Sequence, residues 1–381
     1  MSRIQDIQEL RRFYRQFLEI QRDILVAYVR KAKGADGTDN LNDQAIEKIY
    51  DAYYRPSFFV FLRDLKTAIY SASIFDFVKI IARDSEYGAG FVEFFEKTKL
   101  AKLDKNGKVI VLKKDLLSML PRVQSEEEIK STIERKLGVK IKANASVTDL
   151  LKNIKVFRTK SKFDQLPISQ ATAIFEVKKI LENLPLPETF LFVGDDDFIS
   201  VLLSFADPNI SSLVIDADEE LLASIKNIAA KYALNIRVKR ADASGKNVVR
   251  EPIVGFLCNP PYTYKGVKTF VKYGVKNFAK DGGFVILTVG DEAVGHRFLA
   301  LQNFFTKENL MIREIAKGAA AYPFTELYPS DTVVKKKFLA AGISEETIKT
   351  APHLGASVYV LDYIPYKVPQ DKLRQSIYTY L

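Results

Sequence analysis

The sequence predicts an α/β protein: a Rossmann-like sheet preceded by a helical, winged-helix-like N-terminal domain. Three observations carry this. From Phe163 onward, short apolar runs alternate with helix-period patterns. Before that point helical patterns dominate and close on one hairpin signal. Several strand ends in the second half carry polar residues that an ordinary turn does not require. The composition suits such a chain, since 381 residues with 47% hydrophobic and 12% aromatic content can fill more than one core.

The first element is an amphipathic helix within residues 1–40. Ile4, Ile7, Leu10, Phe13, Phe17, Ile20, Ile24 and Tyr28 recur at helical spacing, and Gly34 to Gly37 break the pattern. Its stripe can pack on its own domain or on a second subunit, and a homodimer is expected on that ground. Residues 41–124 are the winged-helix-like part. Helical patterns over Ala45 to Tyr53 and Phe58 to Ile81 lead to Leu103 and Val109-Ile110-Val111, which flank Asn106-Gly107. An Asn-Gly pair between apolar runs predicts a hairpin with a type I′ turn, which needs positive φ at both residues. Residues 125–162 read as a charged helical connector.

Residues 163–381 form the predicted catalytic domain. Strands are expected at Thr189–Val193, Leu213–Ile215, Ile236–Val238, Val254–Cys258 and Phe284–Thr288, with two more at Ile312–Ala316 and Ser357–Leu361. Helices fall between them at Phe198–Phe205 and Glu219–Tyr232. Strand–helix alternation implies a parallel sheet wrapped by helices.

Several classes are disfavoured. The N-terminus MSRIQDIQELRR is charged at once, and no apolar run reaches the roughly 18–20 residues that cross a bilayer, so a cytoplasmic protein without a membrane partner is expected. A single cysteine, Cys258, forbids an intrachain disulfide, and two histidines, His296 and His353, leave little for a zinc cluster, so no metal is expected. The net charge of +10 makes nucleic acid a conceivable partner, but the loops at the strand ends are acidic, which disfavours one there.

Ligands of such a sheet bind beyond the C-terminal ends of its strands. The first of these ends is Gly194-Asp195-Asp196-Asp197. Gly194 permits the tight turn. Asp197 can cap the next helix, but a cap does not account for three adjacent carboxylates, which repel one another and invite a cation. The glycine-rich form of this loop presents N–H groups to anions; an acidic form selects an amine or a sulfonium. At the second end Asp216 suits ribose hydroxyls, and Asp218 either joins it or caps the following helix. At the third, Asp242 and Ala243 suit adenine. The fourth is Asn259-Pro260-Pro261-Tyr262. Its prolines fix the backbone and remove two donors, leaving the Asn259 side chain to accept from an amine and the Tyr262 ring to meet a cation. His296, after the fifth strand, reads as a surface residue.

Phe163-Asp164-Gln165, the GDDD loop at 194–197, the Val214-Ile215-Asp216-Ala217-Asp218 strand end and the CNPPYT run at 258–263 together resemble the branched-chain polyamine synthases, the N(4)-bis(aminopropyl)spermidine synthases. The resemblance runs from about Phe163 to Ile364 and more weakly into the N-terminal part. It implies a sheet of the class I methyltransferase type. It also implies an aminopropyltransferase that uses decarboxylated S-adenosylmethionine as co-substrate, with no prosthetic group, a spermidine-like polyamine as acceptor and methylthioadenosine as by-product. The family's catalytic acidic loop falls on Asp195, Asp196 and Asp197. Where that family usually has Asp before the two prolines, this chain has Asn259. Asn-Pro-Pro-Tyr is also the signature of S-adenosylmethionine-dependent methyltransferases that modify amines of nucleic acid or protein, which is the alternative.

Overall fold

The computed structural model describes residues 3–32, 42, 44, 47–48, 50–51, 55–81, 85–117, 120–154, 160, 163, 165–245, 251–324 and 329–366. These divide into two compact units, 1–121 with 364–381, and 122–363. Of the sequence expectations, Gly34 to Gly37, most of the helical pattern over Ala45 to Tyr53, and Asp164 lie outside the described residues.

In the first unit, helix Arg3–Ala32 buries Leu10, Phe13, Phe17 and Ile20, the face expected from the 3.6-residue period. That face meets aromatics of its own unit: the Phe17 ring centroid lies 4.5 Å from Phe91 and 5.1 Å from Phe61. Those four residues of the stripe therefore pack within the unit, while Ile7 and Ile24 stay partly exposed. Helix Phe58–Tyr70 starts at Ser57, whose hydroxyl accepts from the Val60 N–H. Helices Ile74–Ile80 and Ser85–Thr98 follow, then an antiparallel pair, β1 (Ala101–Leu103) and β2 (Val109–Val111).

The hairpin forms where Asn106-Gly107 predicts it, but not with a type I′ turn. Gly107 has φ +79°, whereas Asn106 is not among the residues with positive φ. The Asp104 carboxylate explains the difference. It accepts from the N–H groups of Asn106 at 2.8 Å and Lys108 at 2.9 Å, tying a longer loop in which only Gly107 need be left-handed.

The second unit holds a seven-stranded sheet of β3 (Thr189–Val193), β4 (Ser211–Asp216), β5 (Ile236–Arg240), β6 (Gly255–Cys258), β7 (Gly283–Val289), β8 (Leu310–Pro323) and β9 (Pro352–Tyr363). Its order is β5-β4-β3-β6-β7-β9-β8. The first five strands are parallel, as the alternation predicts, while β9 runs antiparallel to both β7 and β8. This is the Rossmann-like sheet of class I methyltransferase type. All seven residues of β7 and all four of β6 are buried, as strands covered on both faces require. Strand order reverses between β3 and β6, so a crevice opens beyond their C-terminal ends.

Residues 125–154 and 160 belong to this unit. Its helix Glu126–Leu137 carries a full capping box between Ser125 and Glu128. It buries Ile129 and Ile133 and packs on helices Gln170–Asn183 and Ile199–Ala206.

Candidate active site

Gly194 follows β3 with φ +80°, a left-handed conformation that glycine adopts without strain. The three aspartates that follow do three different things. Asp195 is buried, and its carboxylate accepts from the Ser200 N–H at 3.3 Å and the Ser200 hydroxyl at 2.5 Å. Asp197 is buried too, accepting from the Ile168 N–H at 2.9 Å and from Asn259 Nδ2 at 3.2 Å. Asp196 alone of the three is partly exposed, and it alone lines the cavities at the sheet's end.

Asp197 is not the helix cap that its position suggests. The N-cap residue of helix Ile199–Ala206 is Phe198, held left-handed at φ 56° with no side-chain capping bond. Asp195 serves the first turn of the helix instead. The strain at Phe198 is sustained by complete burial of its ring.

Two cavities flank the loop. One, of about 350 Å³, runs along the ends of β3, β4, β5 and β6 and is lined by Gly194, Asp196, Asp216, Asp242, Ala243, Asn259 and Pro261, together with Phe163, Gln165 and Phe270. The other, of about 240 Å³, is lined by Asp196, Asn259, Pro260 and Tyr262, with Leu166, Tyr322, His353 and Leu354. Asp196 and Asn259 belong to both.

In the larger cavity Asp216 accepts the Asp218 N–H at 2.8 Å, and burial holds its carboxyl above the usual range. Asp242 is exposed; the hydroxyl and N–H of Ser244 hold its carboxyl below the usual range, so it is a fixed acceptor. Asp218 lines neither cavity. It caps helix Glu219–Tyr232 through the Glu220 N–H at 3.1 Å and pairs with Lys160 at 2.9 Å. Burial alone would raise its carboxyl, but the Lys160 bond, with help from Glu220 and Gln165, outweighs that and lowers it. Of the two roles open from sequence, the cap is the one this geometry shows.

The Asn259 amide is already engaged on both sides. Nδ2 donates to Asp197, while Oδ1 accepts from the Tyr322 hydroxyl at 2.9 Å and lies 3.4 Å from that of Tyr262. The two hydroxyls are 2.5 Å apart. The Asn259 oxygen, expected from sequence to accept from an amine, here serves the tyrosines. Asn at this position satisfies a carboxylate on one side and hydroxyls on the other, which Asp cannot do without a proton. Pro260 and Pro261 lead into helix Tyr264–Val275, capped by Thr263 through the Gly266 N–H.

Beneath the loop lies a carboxyl that the sequence reading missed. Glu176, on helix Gln170–Asn183, is 1% exposed. Its Oε1 accepts the Thr288 hydroxyl at 2.5 Å, and its Oε2 has no hydrogen-bond partner among the described residues. Burial, then the charges of Asp195 and Asp196, push it up to about 7 against the Thr288 bond. Burial and the Glu176 charge likewise raise Asp197, and burial raises Asp195. A signal existed: Ala173, Val177, Ile180 and Leu181 put the buried face of this helix around Glu176. Tyr322, His353 and Leu354 had no such signal. His296 is exposed, as expected, and lines neither cavity.

Among the described residues there is no group of three or more His, Cys, Asp and Glu arranged to hold a metal, and no helix is long and apolar enough to cross a membrane.

The chain is similar to few curated proteins. It is 23% identical to an uncharacterized protein of Methanocaldococcus jannaschii over 196 residues, 49% of this chain, and it spans about half the length, 50%, of that relative. Among solved structures, the branched-chain polyamine synthase of Thermus thermophilus in complex with N4-aminopropylspermidine and 5'-methylthioadenosine is 14% identical, with a TM-score of 0.46 over 85% of this chain and 94% of that one. A SAM-dependent methyltransferase of Aquifex aeolicus is 10% identical, with a TM-score of 0.31 over 47% of this chain and 83% of that one. The profile of the branched-chain polyamine synthase A C-terminal domain matches residues 147–351, more than half of the sequence. The chain therefore belongs to the branched-chain polyamine synthase family.

Proposed function

We propose that the protein is an aminopropyltransferase that moves an aminopropyl group from decarboxylated S-adenosylmethionine to a polyamine. The observation that carries this is the position of Asp196, a carboxylate common to two cavities of different character.

The larger cavity suits adenosine. Asp216 accepts from the ribose hydroxyls, Asp242 and Ala243 meet the base, and Phe270 and Phe163 supply apolar contact. This directs the sulfonium and its arm toward Asp196. An intact methionine arm would bring a carboxylate against Asp196; the decarboxylated arm brings only an ammonium. The loop is therefore selective by repulsion as well as by attraction. The smaller cavity suits the acceptor, whose amine lies against Asp196 and the tyrosine rings.

The chemistry is one displacement. The lone pair of a neutral acceptor nitrogen forms an N–C bond to the methylene beside sulfur. The C–S bond breaks, its electrons return to sulfur, and neutral methylthioadenosine leaves. The new ammonium then loses its proton to solvent. The two cavities hold donor and acceptor in line, and Asp196 orients the amine. The cytoplasm is the expected compartment, and a homodimer through the N-terminal unit remains part of this reading.

Incubation with decarboxylated S-adenosylmethionine and spermidine tests it. Mass spectrometry should find methylthioadenosine and an acceptor heavier by aminopropyl increments. Methyl transfer from S-adenosylmethionine to nucleic acid or protein, without turnover of the decarboxylated donor, would favour the methyltransferase reading suggested by Asn259 to Tyr262.

A further inference from the structure

The three loop carboxylates and Glu176 crowd the same end of the sheet, and three of the four are buried. The groups that act on Glu176 or feel its charge come from the loop and two strands: Asp195, Asp196 and Asp197 of the loop, the Cys258 thiol of β6 and the Tyr322 phenol of β8. Its one hydrogen bond comes from Thr288 of β7. Asp197 has two donors, from Ile168 and Asn259. Among the described residues Glu176 has one, and its second oxygen is buried without a partner there. A buried carboxylate in that state is costly unless it keeps its proton or gains a compensating positive charge.

We propose that Glu176 is a positioning residue that sets the charge of the acidic loop: it keeps its proton until a cationic donor reaches Asp196, then releases it to solvent. The inference rests on the reading that the donor is an adenosyl sulfonium with a cationic arm. The step is a simple ionisation in which the O–H bond breaks, the electron pair stays on the carboxylate and water takes the proton. The shift of this carboxyl to about 7 makes the exchange possible near neutral pH. Its sign follows. Below that pH Glu176 is neutral and adds nothing to cation binding, and above it the carboxylate attracts the cation, so affinity rises with pH.

The experiment is calorimetric titration of the full-length protein with decarboxylated S-adenosylmethionine from pH 6 to 8. Two buffers of different ionisation enthalpy count the protons released, and neutral methylthioadenosine serves as control. The wild type should release a proton fraction with the cation that methylthioadenosine does not elicit, and its Kd should fall several-fold from pH 6 to 8, below the limit of about tenfold per pH unit for one full proton. Glu176→Gln should lose the release and the pH slope together. Thr288→Val removes the bond that lowers this carboxyl, so it should move the midpoint to higher pH. The Thr288→Val and wild-type results stand even if Glu176→Gln does not fold. Equal proton release in wild type and Glu176→Gln, or a Thr288→Val midpoint that stays in place, would overturn the proposal while leaving the functional reading intact. Binding of methylthioadenosine without binding of the decarboxylated donor would overturn both.

Discussion

The cavity of about 350 Å³ is assembled from the ends of four neighbouring parallel strands, whereas that of about 240 Å³ borrows Tyr322, His353 and Leu354 from the antiparallel pair at the other side of the sheet. Asp196 and Asn259 belong to both, yet the surroundings differ. On one side stand carboxylates that accept hydrogen bonds; on the other stand tyrosines already bonded to one another and to Asn259. The difference teaches that the strand-end loops of such a sheet and its antiparallel edge shape two chemically distinct spaces, which the proposed reading gives to donor and acceptor. The acidic loop is the seam between them.

The sharpest way to break this comparison is at the seam. Asp196→Asn keeps the volume and removes the charge shared by both cavities. Turnover of the decarboxylated donor should fall by about 10²–10³ while the melting temperature changes little. Asp195→Asn should behave in the opposite manner, because Asp195 is bonded to Ser200 inside the core and its loss is felt in stability. Comparable losses of turnover at unchanged stability in both variants would erase the division of labour within the loop.

Glu176→Gln gives the next largest effect, in stability rather than rate. The folded-state carboxyl is raised to about 7 from an ordinary value of 4.5, so the native state binds the proton more tightly than the unfolded chain. The stability this supplies is complete below the unfolded value and is lost as pH rises through the folded one. From pH 4.5 to 8 the wild type should lose on the order of 2–3 kcal/mol that Glu176→Gln does not. Chemical denaturation at both pH values measures it.

A pair of variants then separates the two cavities. Asp216→Ala should weaken methylthioadenosine by about 10-fold or more, the scale of a lost hydrogen bond to a charged group, with little change in acceptor KM. Tyr322→Phe removes the donor to Asn259 and should raise acceptor KM several-fold, a cost of about 1 kcal/mol, while methylthioadenosine binds as before. The smallest effect is expected at Asp218→Ala. Loss of a cap should cost about 1 kcal/mol of stability, with methylthioadenosine affinity falling less than in Asp216→Ala.

Much of the lining of the larger cavity was legible in the sequence. Gly194, Asp216 and Asn259 follow apolar runs directly, and Asp242 lies two residues past a shorter strand; in a parallel sheet such positions lie at the functional end. What sequence order does not encode is which polar group turns inward. Asp195 and Asp197 are adjacent to Asp196 and chemically identical to it, yet the left-handed turn at Phe198 buries the outer two and leaves the middle one at the cavities. Asp218 was ambiguous for the same reason, and Lys160, 58 residues earlier, decides it. Of the smaller cavity, Asp196, Asn259, Pro260 and Tyr262 were legible, but its far wall was not. Tyr322 and Leu354 meet as register partners of β8 and β9 across a connection of more than twenty residues, and no local pattern announces that pairing. Glu176 was the one exception within reach, a lone acid on an apolar helical face.

The central claim is that the charge at Asp196 selects a donor whose arm has no carboxylate. Calorimetry of wild type and Asp196→Asn with S-adenosylmethionine and its decarboxylated form tests it directly. The wild type should bind the decarboxylated form more tightly, and Asp196→Asn should lose most of that preference. Equal affinity for both ligands in the wild type, or a preference that survives in Asp196→Asn, would contradict the account.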